Sequence, residues 1–184
     1  MGILENKKCS EKEFEELELN NPNEKFEYIN GVIFNASTTS LNHNKIKRRI
    51  LSKLDDYFDG SKCDIFDEQI EIILQDSSET NKLKPDIFVI CDSYDTKGES
   101  VTTVPLIVFE VISKSTAQHD RIVKYRIYEK FGVKEYNLVE QNGYIIQYKL
   151  EDGMYKVNNT FKGEDTYSSC IFEDLKIKLD YIFK

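Results

Sequence analysis

The sequence predicts one α/β domain: a central mixed β-sheet flanked by helices, with a hairpin before the sheet and an antiparallel hairpin after it. Three observations carry this expectation. The middle of the chain holds runs of strand length, among them CDIFDEQIEIILQD, KPDIFVICD and VPLIVFEVIS; the last is apolar on both faces, as in a covered central strand. Two segments with apolar residues at helical spacing bracket these runs. Asn30-Gly31 and Asp152-Gly153 are the strongest short hairpin signals. The 184 residues amount to about one domain, read as residues 1–184 with a helical extension over 1–24.

The elements follow in order. SEKEFEELEL opens on a capping box, Ser10 with Glu13 three residues on, and predicts a helix over about 11–19. FEYINGVIFNAS reads as a hairpin around Asn30-Gly31. In LNHNKIKRRILSKLDDYFDG, Ile46, Ile50, Leu54 and Tyr57 recur at helical spacing, with Asn42 or Asn44 as candidate caps and Gly60 near the stop. Three strands come next: Asp64 to about Leu74, a run after Pro85, and the run ending at Ser113. STAQHDRIVKYRIYEKFG is a helix with Ser115 or Thr116 as N-cap and Gly132 after its end. KEYNLVE is a fourth strand, NGYIIQYKLEDGMYKV a hairpin, and the tail a last strand with a closing turn.

Charge narrows the function. A net charge of −8 and a pI of about 4.9 are a poor footprint for a sequence-independent nucleic-acid coat. They do not exclude a nuclease, because metal ions can supply local positive charge. Cys9, Cys63, Cys91 and Cys170 are far apart with no CxxC pair, which predicts reduced thiols in a cytoplasm. The N-terminus has no apolar signal core and no run approaches membrane-spanning length, so the expectation is a cytoplasmic protein with no membrane partner.

The chemistry concentrates at the central strand. In LIVFEVIS, Leu106, Val108, Glu110 and Ile112 share one face and Ile107, Phe109 and Val111 the other. An isolated ionised carboxylate there is costly unless paired, metal-bound or neutralised; a Glu at the strand's exposed end, or one satisfied by a structural lysine or arginine, is the plainer alternative. Asp86 enters the neighbouring run, and two carboxylates on adjacent strands can approach one divalent cation. Asp120 and Lys124 stand four apart, on one face of an α-helix; an ordinary surface pair is the competing reading. Lys45, Arg48, Arg49 and Lys53 lie off the apolar stripe of their helix, as a solvated face or as a phosphate-contacting surface. His119 reads as a cap or surface residue, and Tyr125, Tyr128 and Tyr136 as core or rim.

Pro85-Asp86, Glu110-Val111-Ile112-Ser113, Asp120, Lys124, Tyr128 and Gly132-Val133-Lys134-Glu135-Tyr136, with Glu27-Tyr28-Ile29-Asn30-Gly31 and His43 earlier in the chain, resemble the signature of the Uma-two family. This is a bacterial domain family of restriction-endonuclease-like proteins in the PD-(D/E)XK nuclease superfamily. The similarity runs from about Phe26 to the C-terminus. It implies a restriction-endonuclease-like fold and a metal-dependent endonuclease acting on DNA. In that reading Asp86, Glu110 and the backbone carbonyl of Val111 hold Mg²⁺ (or Mn²⁺), and Asp86, Glu110, Lys124, Glu27 and His43 form the catalytic group. Asp120 and Ser113 support it, and Lys45, Arg48 and Arg49 contact the nucleic acid. The superfamily lysine belongs two residues after the acidic residue, where this chain has Ile112; the family pattern moves it to Lys124. Lys114, Asn137 and Asn30 depart from the family pattern without removing a proposed catalytic group. A homodimer suits double-strand cutting, with the terminal hairpin as a pairing edge. The alternative is a catalytically silent nuclease-fold domain that binds nucleic acid or protein.

Overall fold

The structure, a computed structural model, describes residues 8–36, 40–113 and 117–184. The chain runs α1 (Glu11–Asn20), β1 (Lys25–Ile29), β2 (Val32–Ala36), α2 (Leu41–Phe58), β3 (Cys63–Asp67), β4 (Ile72–Gln75), β5 (Thr80–Leu83), β6 (Ile87–Cys91), β7 (Thr96–Lys97), β8 (Ser100–Val101) and β9 (Ile107–Ile112). A π-helical segment (His119–Lys124) leads into α3 (Tyr125–Phe131). Then come β10 (Glu135–Glu140), β11 (Tyr144–Glu151), β12 (Met154–Lys162), β13 (Thr166–Ser168), β14 (Lys176–Lys178) and α4 (Leu179–Phe183).

The mixed central sheet is present, in the order β12-β11-β10-β9-β6-β3. β9 and β10 are parallel and the remaining pairs antiparallel; the helical crossover between β9 and β10 is what a parallel pair requires. A second six-stranded sheet, β2-β1-β5-β4-β8-β7, accompanies it. The expected strand from Asp64 to Leu74 is in fact two strands, one in each sheet. The chain turns between them at Asp67, whose side chain accepts from Gln69 N and whose carbonyl accepts from Ile70 N. An aspartate that bonds the backbone two residues on makes such a turn, and the apolar residues on either side hid it.

Every residue of β9 is buried. Ile107, Phe109 and Val111 pack with Ile46, Ile50 and Leu54 of α2 and with Leu179 and Ile182 of α4. Val108 and Ile112 pack with Phe88, Tyr128, Tyr136 and Leu138, and with Ile72, Leu74 and Leu83 from the second sheet. The face that carries Glu110 therefore looks into the space between the two sheets. On the second sheet, Phe14 of α1 packs on Tyr28 of β1, with ring centroids 5.4 Å apart.

Local signals behave as their chemistry requires. The Ser10–Glu13 capping box is formed in both directions. Asn30 and Gly31 adopt φ of 46° and 90°, and Asp152 and Gly153 φ of 53° and 78°, as a two-residue hairpin turn with both central residues left-handed demands. α2 is capped by Ser40, whose side chain accepts from His43 N, and not by Asn42 or Asn44; the hydroxyl sits three residues before the amide it caps. The proposed caps Ser115 and Thr116 lie outside the described residues.

The cysteine expectation is overturned for one pair. Cys63 and Cys91 face each other across β3 and β6 and form a disulfide; a sequence separation of 28 conceals a direct cross-strand pairing. Cys9 and Cys170 are not part of a disulfide. Among the described residues, the fully buried Glu135 takes neutral donors: Gln147 Nε2 at 2.9 Å, Ser169 Oγ at 2.7 Å, Cys170 N at 2.8 Å, Cys170 Sγ at 3.2 Å, Asn137 Nδ2 at 2.9 Å and the Tyr167 hydroxyl. It satisfies its lone pairs by tying the segment after β13 to the sheet. Among the described residues, no helix is long and apolar enough to cross a membrane.

Candidate active site

The two carboxylates singled out in the sequence meet. Ile87 pairs with Phe109, so Asp86, entering β6, falls beside Glu110 of β9. The Val111 amide donates to Asp86 Oδ2 at 2.7 Å, and the Asp86 amide faces Glu110 Oε2 at 3.4 Å. Asp86 Oδ2 also lies 3.0 Å from His43 Nε2, which α2 brings in from behind. Glu110 is 2% exposed. Its Oε1 accepts from Lys124 Nζ at 3.0 Å and from the Tyr128 hydroxyl at 3.0 Å.

Glu27 arrives from β1 of the other sheet and is also buried. Its Oε1 takes Lys124 Nζ at 3.0 Å and the Lys84 amide at 2.9 Å; its Oε2 lies 2.9 Å from His119 Nε2. Asp120 Oδ1 stands 3.5 Å from Lys124 Nζ. One buried ammonium is thus ringed by Glu27, Glu110 and Asp120, with Asp86 just beyond.

The charges follow from this crowding. Burial pushes the Glu110 carboxyl well above the ordinary range; Lys124 opposes the shift, while Asp120, Asp86 and Glu27 reinforce it. Burial would lower the Lys124 ammonium, but Glu110, Glu27, Asp120 and Asp86 outweigh it and hold the group charged. Burial also raises Glu27, yet Lys124 and the His119 hydrogen bond bring its carboxyl down to about 2.

The sequence reading missed two members. Tyr128 is no mere core residue, since its hydroxyl holds Glu110; its spacing four after Lys124 was the available signal. His119 is not a surface cap: it is buried on Glu27, and its ring lies 4.5 Å from that of Phe34 on β2. The reason is the π-helix. Its i→i+5 spacing sets His119 and Lys124 on one face, where α-helical geometry would part them. The Tyr136 hydroxyl donates to the Asp120 carbonyl at 2.8 Å, so a side chain enters the ladder where the pitch widens, a known cause of helix distortion.

The basic helix face divides. Lys45 and Arg48 are exposed and, with Asn44, Ser52 and Tyr181, line a shallow cavity of about 310 Å³. Arg49 borders it, but its guanidinium donates to the carbonyls of Ile182 (3.1 Å) and Lys184. Ser113 follows β9, and its backbone carbonyl accepts the Ala117 amide at 3.0 Å.

Among the described residues, no three His, Cys, Asp or Glu side chains form a metal cage of their own. The donor set still fits Mg²⁺ or Mn²⁺. Magnesium is held through one or two carboxylates plus water and substrate oxygens, not by an all-protein cage, and three carboxylates around one ammonium, with Asp86 beyond them, leave a negative surplus. Asp86 and Glu110 are the two that would hold such an ion.

A mixed sheet whose central strand and neighbour present Glu110 and Asp86 beside a buried lysine defines a restriction-endonuclease-like domain. The Uma2 family model, described as "Putative restriction endonuclease", matches residues 11–180, and the chain belongs to this family. Two uncharacterized Synechocystis proteins are similar to it. One, slr1290, is 32% identical over 139 residues, covering 74% of this chain and 72% of its own. The other, sll1609, is 27% identical over 138 residues, covering 71% and 74%. The crystal structure of "a putative nuclease belonging to DUF820" from Anabaena variabilis shares the fold, with a TM-score of 0.69 at 16% identity over 86% of this chain and 89% of that one.

Proposed function

We propose that this protein is a metal-dependent endonuclease that hydrolyses phosphodiester bonds in DNA. The observation that supports this best is the interlocking of Asp86 and Glu110 with Lys124 Nζ 3.0 Å from the Glu110 carboxylate. Asp86, Glu110 and the Val111 carbonyl would hold Mg²⁺ (or Mn²⁺). When bound, the ion supplies Lewis acidity at the phosphoryl oxygens.

The chain's own groups do the rest. His43 and the Val111 amide fix the Asp86 carboxylate, and Tyr128 fixes that of Glu110. Lys124, kept charged by its ring of carboxylates, is the preorganised cation for negative charge that develops on phosphate. Glu27 and Asp120 orient that ammonium, and Ser113 supports the strand end. Lys45 and Arg48 contact the DNA backbone, with Arg49 contributing less because its donors already serve the C-terminus. We assign the protein to the cytoplasm as a homodimer, since a double-strand cut needs two sites and β12 offers a free sheet edge. In a reducing compartment the Cys63–Cys91 pair would be open to exchange.

The test is plasmid cleavage with Mg²⁺ or Mn²⁺ by the wild type, Glu110→Gln and Asp86→Asn. Metal-dependent nicking by the wild type alone is expected. DNA binding without cleavage under either metal would replace this reading with a silent binding module.

A further inference from the structure

We infer that His119 is a positioning residue of this site: it holds Glu27, and through Glu27 it sets the Lys124 ammonium against Glu110. Its effect on rate rests on the endonuclease reading; its effect on Lys124 placement rests on the geometry alone.

Glu27 comes from the hairpin of the second sheet, so nothing in β9 or α3 fixes its carboxylate directly. Oε1 serves Lys124 and the Lys84 amide, and Oε2 faces the His119 ring nitrogen. If His119 lost its donor, Oε2 would be a buried carboxylate oxygen short of its partner, which is costly. The cheapest repair is for the carboxylate to turn and offer Oε2 to Lys124. That rotation draws the ammonium toward Glu27 and away from Glu110, which now share it at equal distances of 3.0 Å.

The ring is well placed for this task. It packs on Phe34 and is 6% exposed, and its Nδ1 is buried with no hydrogen-bond partner among the described residues. Its placement is therefore set by the Nε2 contact and the aromatic packing. The π-helical segment makes the arrangement possible, because it aims His119 at Oε2 and Lys124 at Oε1 of the same carboxylate. π-helical turns are rare and cost helical regularity, and they recur at functional sites; here the spacing yields a two-point hold on Glu27.

Two measurements on the full chain test this: steady-state cleavage kinetics with Mg²⁺, and mass-spectrometric reductive methylation of Lys124 in metal-free protein. His119→Gln keeps a donor at the position of Nε2, and His119→Leu keeps none. His119→Leu should lower kcat by up to about 10²-fold, the scale of an ångström misplacement, at unchanged KM for DNA, and Lys124 should methylate faster. His119→Gln should restore both toward wild type, and Glu27→Gln/His119→Leu should be no slower than Glu27→Gln, as expected for coupled residues. If His119→Leu melts without cooperativity, His119→Asn takes its place, because its shorter amide reaches only the δ position. The inference is overturned if the donor-less variant keeps wild-type kcat and Lys124 protection. It is equally overturned if His119→Gln is as impaired as His119→Leu, which would reduce the residue to packing. A wild type that cuts no DNA defeats the endonuclease reading instead, and the methylation rates then decide the positioning role alone.

Discussion

Asp86 and Glu110 are bound to each other through the backbone: the amide of Asp86 faces the Glu110 carboxylate at 3.4 Å, and the amide following Glu110 donates to the Asp86 carboxylate at 2.7 Å. Each acid is thus oriented by the strand that carries the other. A site built on paired strands holds its geometry better than one built on loops.

The first prediction follows from the charge of that pair. A cation bound between Asp86 and Glu110 stabilises the folded state by mass action. Adding Mg²⁺ or Mn²⁺ at about 100 times its Kd should raise wild-type stability by about 3 kcal/mol, read as a higher Tm. Glu110→Gln should lose this response. A wild-type Tm that does not move at millimolar metal contradicts a metal site.

Lys124→Met should remove the charge-stabilising group. The cleavage rate should fall by about 10²-fold or more, with DNA affinity much less affected. Ile112 shares the Glu110 face of β9, so Ile112→Lys in the Lys124→Met background should return part of the rate. Single-turnover kinetics on plasmid and single-stranded DNA measure both effects, and a Lys124→Met protein as fast as wild type would dismiss the lysine.

The divided basic face predicts divided phenotypes. Lys45→Glu and Arg48→Glu should weaken DNA binding and flatten its salt dependence, with Tm nearly constant. Arg49→Glu should lower Tm, because it strips the donors from the carbonyls of Ile182 and Lys184. Fluorescence anisotropy across a salt series, paired with thermal melts, separates the two; equal binding by all variants would make the face an ordinary solvated surface.

Glu27 predicts an acid dependence with a definite sign. Its folded pKa is depressed to about 2, so its contribution is complete above the ordinary carboxylate range and is lost as pH falls toward 2. Linkage sets that contribution at about 3 kcal/mol at most. Denaturant melts of wild type between pH 6 and 2.5 should show a steeper loss of stability than those of Glu27→Gln. Parallel slopes would mean that Lys124 and His119 do not hold this carboxylate ionised.

By itself the sequence determined several of the elements and singled out the two acids that come together. Alternation in LIVFEVIS separated the two faces of β9, Ser10 with Glu13 marked the start of α1, and Asn30-Gly31 and Asp152-Gly153 defined both hairpins, because these are local constraints written in side-chain size, charge and φ preference. Asp86 and Glu110 were legible for a related reason: a carboxylate in an apolar run is costly wherever the run folds. Only the tertiary structure decided how distant pieces meet. The turn at Asp67 sends one apparent strand into two sheets, the register of β3 against β6 brings Cys63 to Cys91, and Glu27 crosses from the second sheet to reach Lys124. His119 is the clearest case. A helical periodicity of 3.6 turns it away from Lys124, and it enters the site where the helix opens to π spacing, the point at which the hydroxyl of Tyr136, sixteen residues on, donates to the Asp120 carbonyl.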